Sequence, residues 1–122
     1  MAVLNYVLDT NAVIYLQKGV LKDGLPDGRM AISVITEIEL RGFPGLSGKQ
    51  VVWLTRFFSS LPIIGLEDDI KETAIQLRRN HRIKVPDALV AATAFARSAI
   101  LLTNDEYLHG IPGLSCRRLG LR

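Results

Sequence analysis

Cysteine is almost absent from this chain of 122 residues, and long apolar runs are missing altogether. Because Cys116 is the one cysteine, no disulfide can form within the chain, and nothing favours secretion. The longest apolar stretch covers residues 88–96, whereas a membrane-spanning helix needs about 20 residues. The start of the chain lacks a basic region and carries Asp9 within its first apolar run, so we expect no signal peptide and a cytoplasmic location.

The overall composition excludes further classes of protein. Hydrophobic residues make up 48% of the chain and charged residues 22%, which is close to the globular average and unlike disordered or collagen-like sequences. A chain of this length buries roughly two-thirds of the surface that its unfolded form exposes. Since no linker, repeat or low-complexity segment interrupts the sequence, we expect residues 1–122 to form one domain.

Short apolar runs alternate with helical patterns, which is typical of a parallel sheet between two helical layers. The pattern predicts strands at residues 3–8, 30–34, 62–66, 100–102 and 114–119, and helices at 12–16, 36–40, 49–60, 67–82 and 88–99. Two of the helices should have buried stripes, formed by Val51, Leu54 and Phe58 and by Ile70, Ala74 and Leu77. The predicted fold class is α/β, a three-layer sandwich with a mostly parallel central sheet.

Acidic residues follow the predicted strands, at the edge where open parallel sheets bind their ligands. Asp9 ends the first strand, and Asp105 follows the strand at 100–102. Glu39 lies one helical turn past the second strand, and Asp87 lies at the start of the helix that Pro86 opens. Each acid alone also has a structural interpretation, as a helix cap, a turn residue or a solvated helical residue. Their similar placement favours a shared site.

Converging carboxylates repel one another and raise one another's pKa unless a cation lies between them. Their oxygen ligands favour Mg²⁺ or Mn²⁺, and such a site can activate water and stabilise the charge that builds up on a phosphate. The sequence lacks the residue patterns that other kinds of catalytic or binding site require. His81 and His109 have no zinc-ligand spacing, no glycine-rich phosphate loop follows the first strand, and no serine occupies a nucleophile elbow.

The charge balance indicates a polyanionic partner once these acids are set aside. The chain has 15 basic and 12 acidic residues, and without the four candidate acids the remainder carries about +7. An acidic pocket in a basic surface suits nucleic acid. The candidates for phosphate contacts form a cluster just before Asp87: Arg78, Arg79, Arg82 and Lys84. The alternative is that this cluster complements the dipole of a solvated helix end.

Four stretches resemble the motifs of one family, in the family's order. Residues 6–11, Tyr-Val-Leu-Asp-Thr-Asn, resemble the opening motif of the PIN-domain nucleases, specifically the VapC toxins of bacterial and archaeal toxin–antitoxin pairs. Residues 32–40 resemble the second motif, in which the acid directly before a leucine is functional, which selects Glu39 over Glu37. Residues 86–94 resemble the third motif, with Asp87 as its acid, and residues 102–105 and 111–114 resemble the fourth. One departure is Tyr107, where many relatives carry a further aspartate.

The resemblance covers essentially the whole chain, and it implies an Mg²⁺- or Mn²⁺-dependent endoribonuclease. Such a protein arrests growth by cutting RNA and is neutralised by a VapB-type antitoxin. Asp9 and Asp87 are then the expected metal ligands, while Glu39 and Asp105 complete the site and orient the attacking water, directly or through bound water. The residues expected to support these acids by hydrogen bonds are Thr10, Asn11 and Thr103.

A homodimer is expected as well, because the family is usually dimeric. A small apolar face bearing Ala91, Ala94 and Ala99 would permit close contact between helices. The aromatic residues Trp53, Phe57 and Phe58 exceed what one short helix usually buries. The alternative is ordinary packing within the core.

Two other functions compete with this interpretation. A non-catalytic PIN-like module could keep the fold and an RNA-binding surface without turnover, although the complete set of acids argues against it. A receiver-type signalling domain also ends its first strand with aspartate, but it needs a phosphoacceptor aspartate after a central strand. No aspartate occurs between Arg29 and Leu66, so this second alternative is excluded.

Overall fold

The computed structural model describes residues 3–122, and in that part of the chain five short strands form one sheet. The strands are β1 (Tyr6–Leu8), β2 (Met30–Ser33), β3 (Ile63–Ile64), β4 (Ile100–Leu102) and β5 (Cys116–Arg117). Their order across the sheet is β3-β2-β1-β4-β5, and all four pairings are parallel. Parallel neighbours need crossover connections, which the helices supply.

Helices cover both faces of this sheet. They are α1 (Thr10–Lys18), α2 (Val34–Arg41), α3 (Gly48–Ser59), α4 (Asp68–Asn80), α5 (Val85–Ala96) and the short α6 (Glu106–His109). Side chains alternate across the sheet, so Val7 and Leu101 pack with α4 and α5 on one face. Leu8 and Leu102 pack with α1 and α3 on the other. The predicted three-layer α/β sandwich is confirmed.

The pairing of the two central strands positions the candidate site. Leu8 of β1 lies opposite Leu102 of β4, so Asp9 and Thr103 follow at the same edge of the sheet. The backbone N–H of Asp9 donates a hydrogen bond to the carbonyl of Leu102 at 3.2 Å, which extends the pairing by one step. The carboxyl ends of both strands therefore deliver polar residues to one place.

Several predicted helix boundaries were wrong by two or three residues, and local capping explains two of them. Helix α1 begins at Thr10 rather than Ala12, since the side chain of Asp9 accepts a hydrogen bond from the N–H of Ala12. Helix α5 ends at Ala96, three residues early, because Ser98 adopts a left-handed conformation with φ of 51°. The edge strands β3 and β5 have two residues each and are shorter than predicted.

The predicted buried stripes are largely confirmed. Ile70, Ala74 and Leu77 of α4 are buried, as are Leu54 and Phe58 of α3. Val51 was the exception, with 47% of its surface exposed. Although Val51 lies one turn before Leu54, it does not pack against the sheet. The buried face of α3 is therefore narrower than the sequence indicates.

The alanine face predicted for a dimer was wrong as well. Ala91, Ala94 and Ala99 are buried within the chain, with at most 4% of their surface exposed. Helix α5 packs between the sheet and α4, and its small residues permit that close approach. They are therefore part of the core and unavailable to a second copy. No helix within residues 3–122 is long and apolar enough to cross a membrane.

Candidate active site

A small cavity of about 60 Å³ opens at the carboxyl edge of the sheet. Its polar lining comes from the ends of β1 and β4 and from the start of α5, so three separate parts of the chain contribute. The residues that line it are Asp9, Thr10, Asn11, Asp87, Val90, Asp105 and Leu108. Three of the four predicted acids are therefore brought together.

Asp9 both caps a helix and lines the cavity. Its Oδ1 accepts a hydrogen bond of 2.7 Å from the backbone N–H of Ala12, which fixes the orientation of the carboxyl group. Burial raises the pKa of Asp9 above its ordinary value, and the charges of Asp105 and Asp87 raise it further, against hydrogen bonds from Thr103 and Ala12 that lower it. The structural interpretation of Asp9 as a helix cap is confirmed, and its functional role stays a prediction.

Asp105 is similarly fixed. It is the N-cap of α6, where its Oδ1 accepts a hydrogen bond of 2.9 Å from the N–H of Tyr107. Its own N–H donates to Oγ1 of Thr103 at 3.1 Å, and Thr103 is fully buried. Thr103 therefore contacts Asp105 and, through the hydrogen bond that lowers the pKa of Asp9, also Asp9, whereas its support of a catalytic site stays a prediction.

Asp87 differs from the other two because, within residues 3–122, its carboxyl group accepts no capping hydrogen bond. It lies in the first turn of α5, whose N-cap is Lys84 and which has no side-chain capping bond. The partial burial of its carboxyl group and the charge of Asp105 raise the pKa of Asp87, while the charge of Lys84 lowers it. Asp87 therefore lies at a helix N-terminus, as the sequence predicts, but no capping hydrogen bond to its side chain is seen at this end of α5.

Glu39 does not line the cavity but is linked to it through Thr10. The Thr10 hydroxyl donates a hydrogen bond of 2.9 Å to Oε1 of Glu39, and Oγ1 of Thr36 lies 3.3 Å from the same hydroxyl. Because Thr10 gives its one hydroxyl proton to Glu39, Thr36 acts as donor to Thr10. Glu37, by contrast, pairs with Arg41 at 2.8 Å on the surface of α2. The choice of Glu39 over Glu37 therefore agrees with the contacts.

Sequence reasoning missed three residues around these acids. Thr36 is fully buried and completes the chain of hydrogen bonds to Glu39. Val90 and Leu108 form the apolar wall of the cavity. Val90 lies three residues after Asp87 and Leu108 three after Asp105, and this helical spacing is the signal that places them on the same face. Nothing in the sequence indicates the partner of Thr36.

The carboxylate oxygens that line the cavity are the kind of ligand that a hard divalent cation prefers. Asp9, Asp87 and Asp105 offer carboxylate oxygens, and the charge of Asp105 raises the pKa of both Asp9 and Asp87, so positive charge is favoured among them. Residues 3–122 contain no group of three or more acidic, histidine or cysteine side chains close enough to hold a metal ion together. Mg²⁺, however, is usually held by one or two carboxylates and several waters. The residues present therefore fit such an ion.

The predicted basic cluster lies beside this edge. Arg78, Arg79, Arg82 and Lys84 are all exposed at the end of α4 and in the loop that leads to α5. Nε of Arg78 donates to the carbonyl of Ile83 at 3.2 Å, so this residue also supports the loop. Contact of the cluster with RNA stays a prediction.

Comparisons with solved structures agree with this fold. A chain in the crystal structure of VapBC2 from Rickettsia felis, bound to a DNA fragment from their promoter, is 26% identical with a TM-score of 0.78. The match covers 94% of this chain and 98% of that one. A chain in a toxin–antitoxin complex from Klebsiella pneumoniae is 29% identical with a TM-score of 0.70, over 90% of this chain and 95% of that one.

A third chain, from DNA-bound VapBC of Salmonella typhimurium, is 21% identical with a TM-score of 0.78 over 94% and 98% of the two chains, which supports the fold alone. The comparison with curated proteins finds no match. The family model of the PIN domain matches residues 6–114, a range that includes all four candidate acids. The chain therefore belongs to the PIN domain family.

Proposed function

We propose that this protein is an endoribonuclease that depends on Mg²⁺ or Mn²⁺ and acts as the VapC-type toxin of a toxin–antitoxin pair. The observation that carries the proposal is the cavity in which Asp9, Asp87 and Asp105 meet. Three carboxylates from separate elements repel one another, so their assembly has a cost that a catalytic site explains better than folding does. The similar chains found in a VapBC complex and in another toxin–antitoxin complex support the toxin role.

In this proposal Asp9 and Asp87 hold the ion, with Glu39 and Asp105 contributing directly or through bound water. A bound divalent cation would supply positive charge for the phosphate in the transition state and lower the pKa of a water molecule. The chain itself supplies orientation. The N–H of Ala12 fixes Asp9, and the N–H of Tyr107 fixes Asp105.

Glu39 is suited to orienting the attacking water. Its Oε1 is held by the Thr10 hydroxyl, and the side chain is exposed beside the cavity. The second carboxylate oxygen can accept a hydrogen bond from water, which directs the lone pair of that water to the phosphorus atom. Asn11 lines the cavity at the first turn of α1, and its amide can donate to a phosphate oxygen.

RNA is the proposed substrate because the basic cluster adjoins the acidic cavity. Arg79, Arg82 and Lys84 are exposed, and residues of this kind neutralise backbone phosphates regardless of base sequence. Lys84 lies three residues before Asp87, so a phosphate held there would adjoin the carboxylates. A cytoplasmic location follows from the proposed function and stays a prediction.

A VapB-type antitoxin is the proposed partner, and α2 offers a surface for it. Ile38 is 62% exposed and Phe43 is 63% exposed, which is unusual for large apolar residues. Ile38 directly precedes Glu39 in the chain. A protein segment that buried Ile38 and Phe43 would therefore lie against α2, the helix that carries Glu39.

The proposal still includes a homodimer, but its support now comes only from the aromatic residues of α3. Trp53 and Phe57 are half-buried and stacked, with ring centroids 5.0 Å apart. With Val52 they line a groove of about 660 Å³ on α3, large enough to accept side chains from a second copy. Phe58 is buried in the core and contributes nothing to this surface. Sedimentation at micromolar concentration should show a dimer, and a clean monomer would remove the homodimer from the proposal.

The test of the nuclease is an RNA cleavage assay with the purified chain. Cleavage should occur with Mg²⁺ or Mn²⁺, stop with a chelator and return when metal is added in excess. Asp9→Asn should be inactive, whereas Asp68→Asn, which changes a fully exposed acid of α4, should cut normally. Metal-dependent binding of RNA without any cleavage would instead indicate the non-catalytic PIN-like module.

A further inference from the structure

Tyr107 connects the two elements that carry Asp105 and Asp87. Its backbone N–H donates to Oδ1 of Asp105 at 2.9 Å. Its hydroxyl accepts a hydrogen bond, also of 2.9 Å, from the backbone N–H of Arg82, which lies 25 residues earlier in the chain. One residue therefore contacts both the carboxyl group of Asp105 and the loop that leads into the helix of Asp87.

The loop held by Tyr107 is short and begins directly after α4. It covers residues 81–84 and ends at Lys84, the N-cap of α5. A second hydrogen bond, from Nε of Arg78 to the carbonyl of Ile83, holds the loop from the side of α4. The loop is therefore held to α6 by the hydroxyl of Tyr107 and to α4 by the side chain of Arg78.

We propose that Tyr107 is a positioning residue that sets the separation between the carboxyl groups of Asp87 and Asp105. This inference rests on the proposed function, because the separation of these groups matters where they share a metal ion. Tyr107 is 47% exposed, so its packing contributes little to the core. Its defined contacts are the two hydrogen bonds.

The proposal predicts a specific defect for Tyr107→Phe, which keeps the ring and the backbone N–H but removes the hydroxyl. Titration of Mn²⁺ into the metal-free protein should show affinity weakened by about 3- to 10-fold, the effect of one net hydrogen bond. Cleavage should need correspondingly more Mn²⁺ for half-maximal rate, while the KM for RNA stays the same. Hydrogen exchange at the amide of Arg82 should be faster.

Tyr15→Phe is the matched control, because the Tyr15 hydroxyl makes no hydrogen bond to any residue in 3–122. It should leave Mn²⁺ affinity and the exchange of Arg82 unchanged. If Tyr107→Phe speeds exchange at Arg82 yet binds Mn²⁺ as the wild type does, the positioning role is wrong and the proposed function stands. A lower melting temperature with unchanged Mn²⁺ affinity would assign Tyr107 a structural role only. A wild-type protein that neither binds Mn²⁺ nor cuts RNA would overturn both proposals.

Discussion

The hydroxyl of Thr10 donates a hydrogen bond of 2.9 Å to Oε1 of Glu39, a residue 29 positions later in the chain. Thr10 begins α1 directly after Asp9, whereas Glu39 lies near the end of α2. This bond joins the one candidate acid outside the cavity to a residue that lines it. The buried Thr36 completes the link by donating to Thr10.

Replacement of Thr10 by valine should therefore reduce RNA cleavage by about 10- to 100-fold, the usual effect of removing a hydrogen bond that orients a metal-site residue. The Thr36 hydroxyl would also lose the partner that the structure shows, which should lower the free energy of unfolding by about 1–3 kcal/mol. Thr10→Ser keeps the hydroxyl and should retain most of the activity. Equal activity of the valine and serine variants would show that Glu39 needs no support from Thr10.

Two replacements of Asp9 separate its capping role from its charge. Asparagine also caps helices well, so Asp9→Asn should melt at the same temperature as the wild type or higher, yet cut no RNA. Asp9→Ala loses the bond to Ala12 and should be destabilised by about 0.5–2 kcal/mol as well as inactive. Thermal melting in chelator and a cleavage assay measure the two effects. An active Asp9→Asn variant would restrict Asp9 to capping.

Asp87→Asn should abolish cleavage without lowering stability in the absence of metal. Its pKa is raised in the folded protein, which means that the ionised carboxylate is disfavoured there, and neutralisation removes that penalty. Added Mn²⁺ should raise the melting temperature of the wild type by mass action and that of the variant by less.

Asp68→Asn provides the matched control for Asp87→Asn. Asp68 also lies in the first turn of a helix, but it is fully exposed and its ion pair with Lys71 spans 3.7 Å. It should cut RNA normally and respond to Mn²⁺ as the wild type does. If Asp87→Asn behaves like this control, Asp87 is outside the metal site.

The thiol of Cys116 can report on the charge of the cavity. Burial raises the pKa of Cys116, and the charges of Asp9 and Asp105 raise it further. Since only the thiolate reacts, alkylation of metal-free wild type should accelerate at a higher pH than for an ordinary cysteine. Asp9→Asn removes one charge and should move the rate profile to lower pH. An unchanged profile would mean that Asp9 is too far from Cys116 for the arrangement described.

Local signals in the sequence were enough to place the main acids. Asp9 and Asp105 each follow an apolar run, and parallel strands end at the same edge, so their proximity follows from the alternation of strands and helices. Pro86 indicates a helix start and thereby places Asp87. These inferences require only the spacing of apolar residues in each helix or strand and the right-handed crossover that joins parallel strands.

Contacts between distant segments could not be predicted from the sequence in this way. The bonds from Thr10 to Glu39 and from Arg82 to Tyr107 depend on where side chains meet after packing, and single residues give no periodic signal for that. The alanines of α5 illustrate the same limit. A small apolar stripe fits a dimer interface and a crowded core equally well, and only the position of α4 decides between them.

The most direct test of the central claim is to locate Mn²⁺ in crystals of the metal-loaded protein by its anomalous scattering. The account predicts one strong peak in the cavity, coordinated by Asp9 and Asp87 and within one water molecule of Glu39 and Asp105. A peak at any other place, or none in the cavity at a Mn²⁺ concentration that supports RNA cleavage, would contradict it.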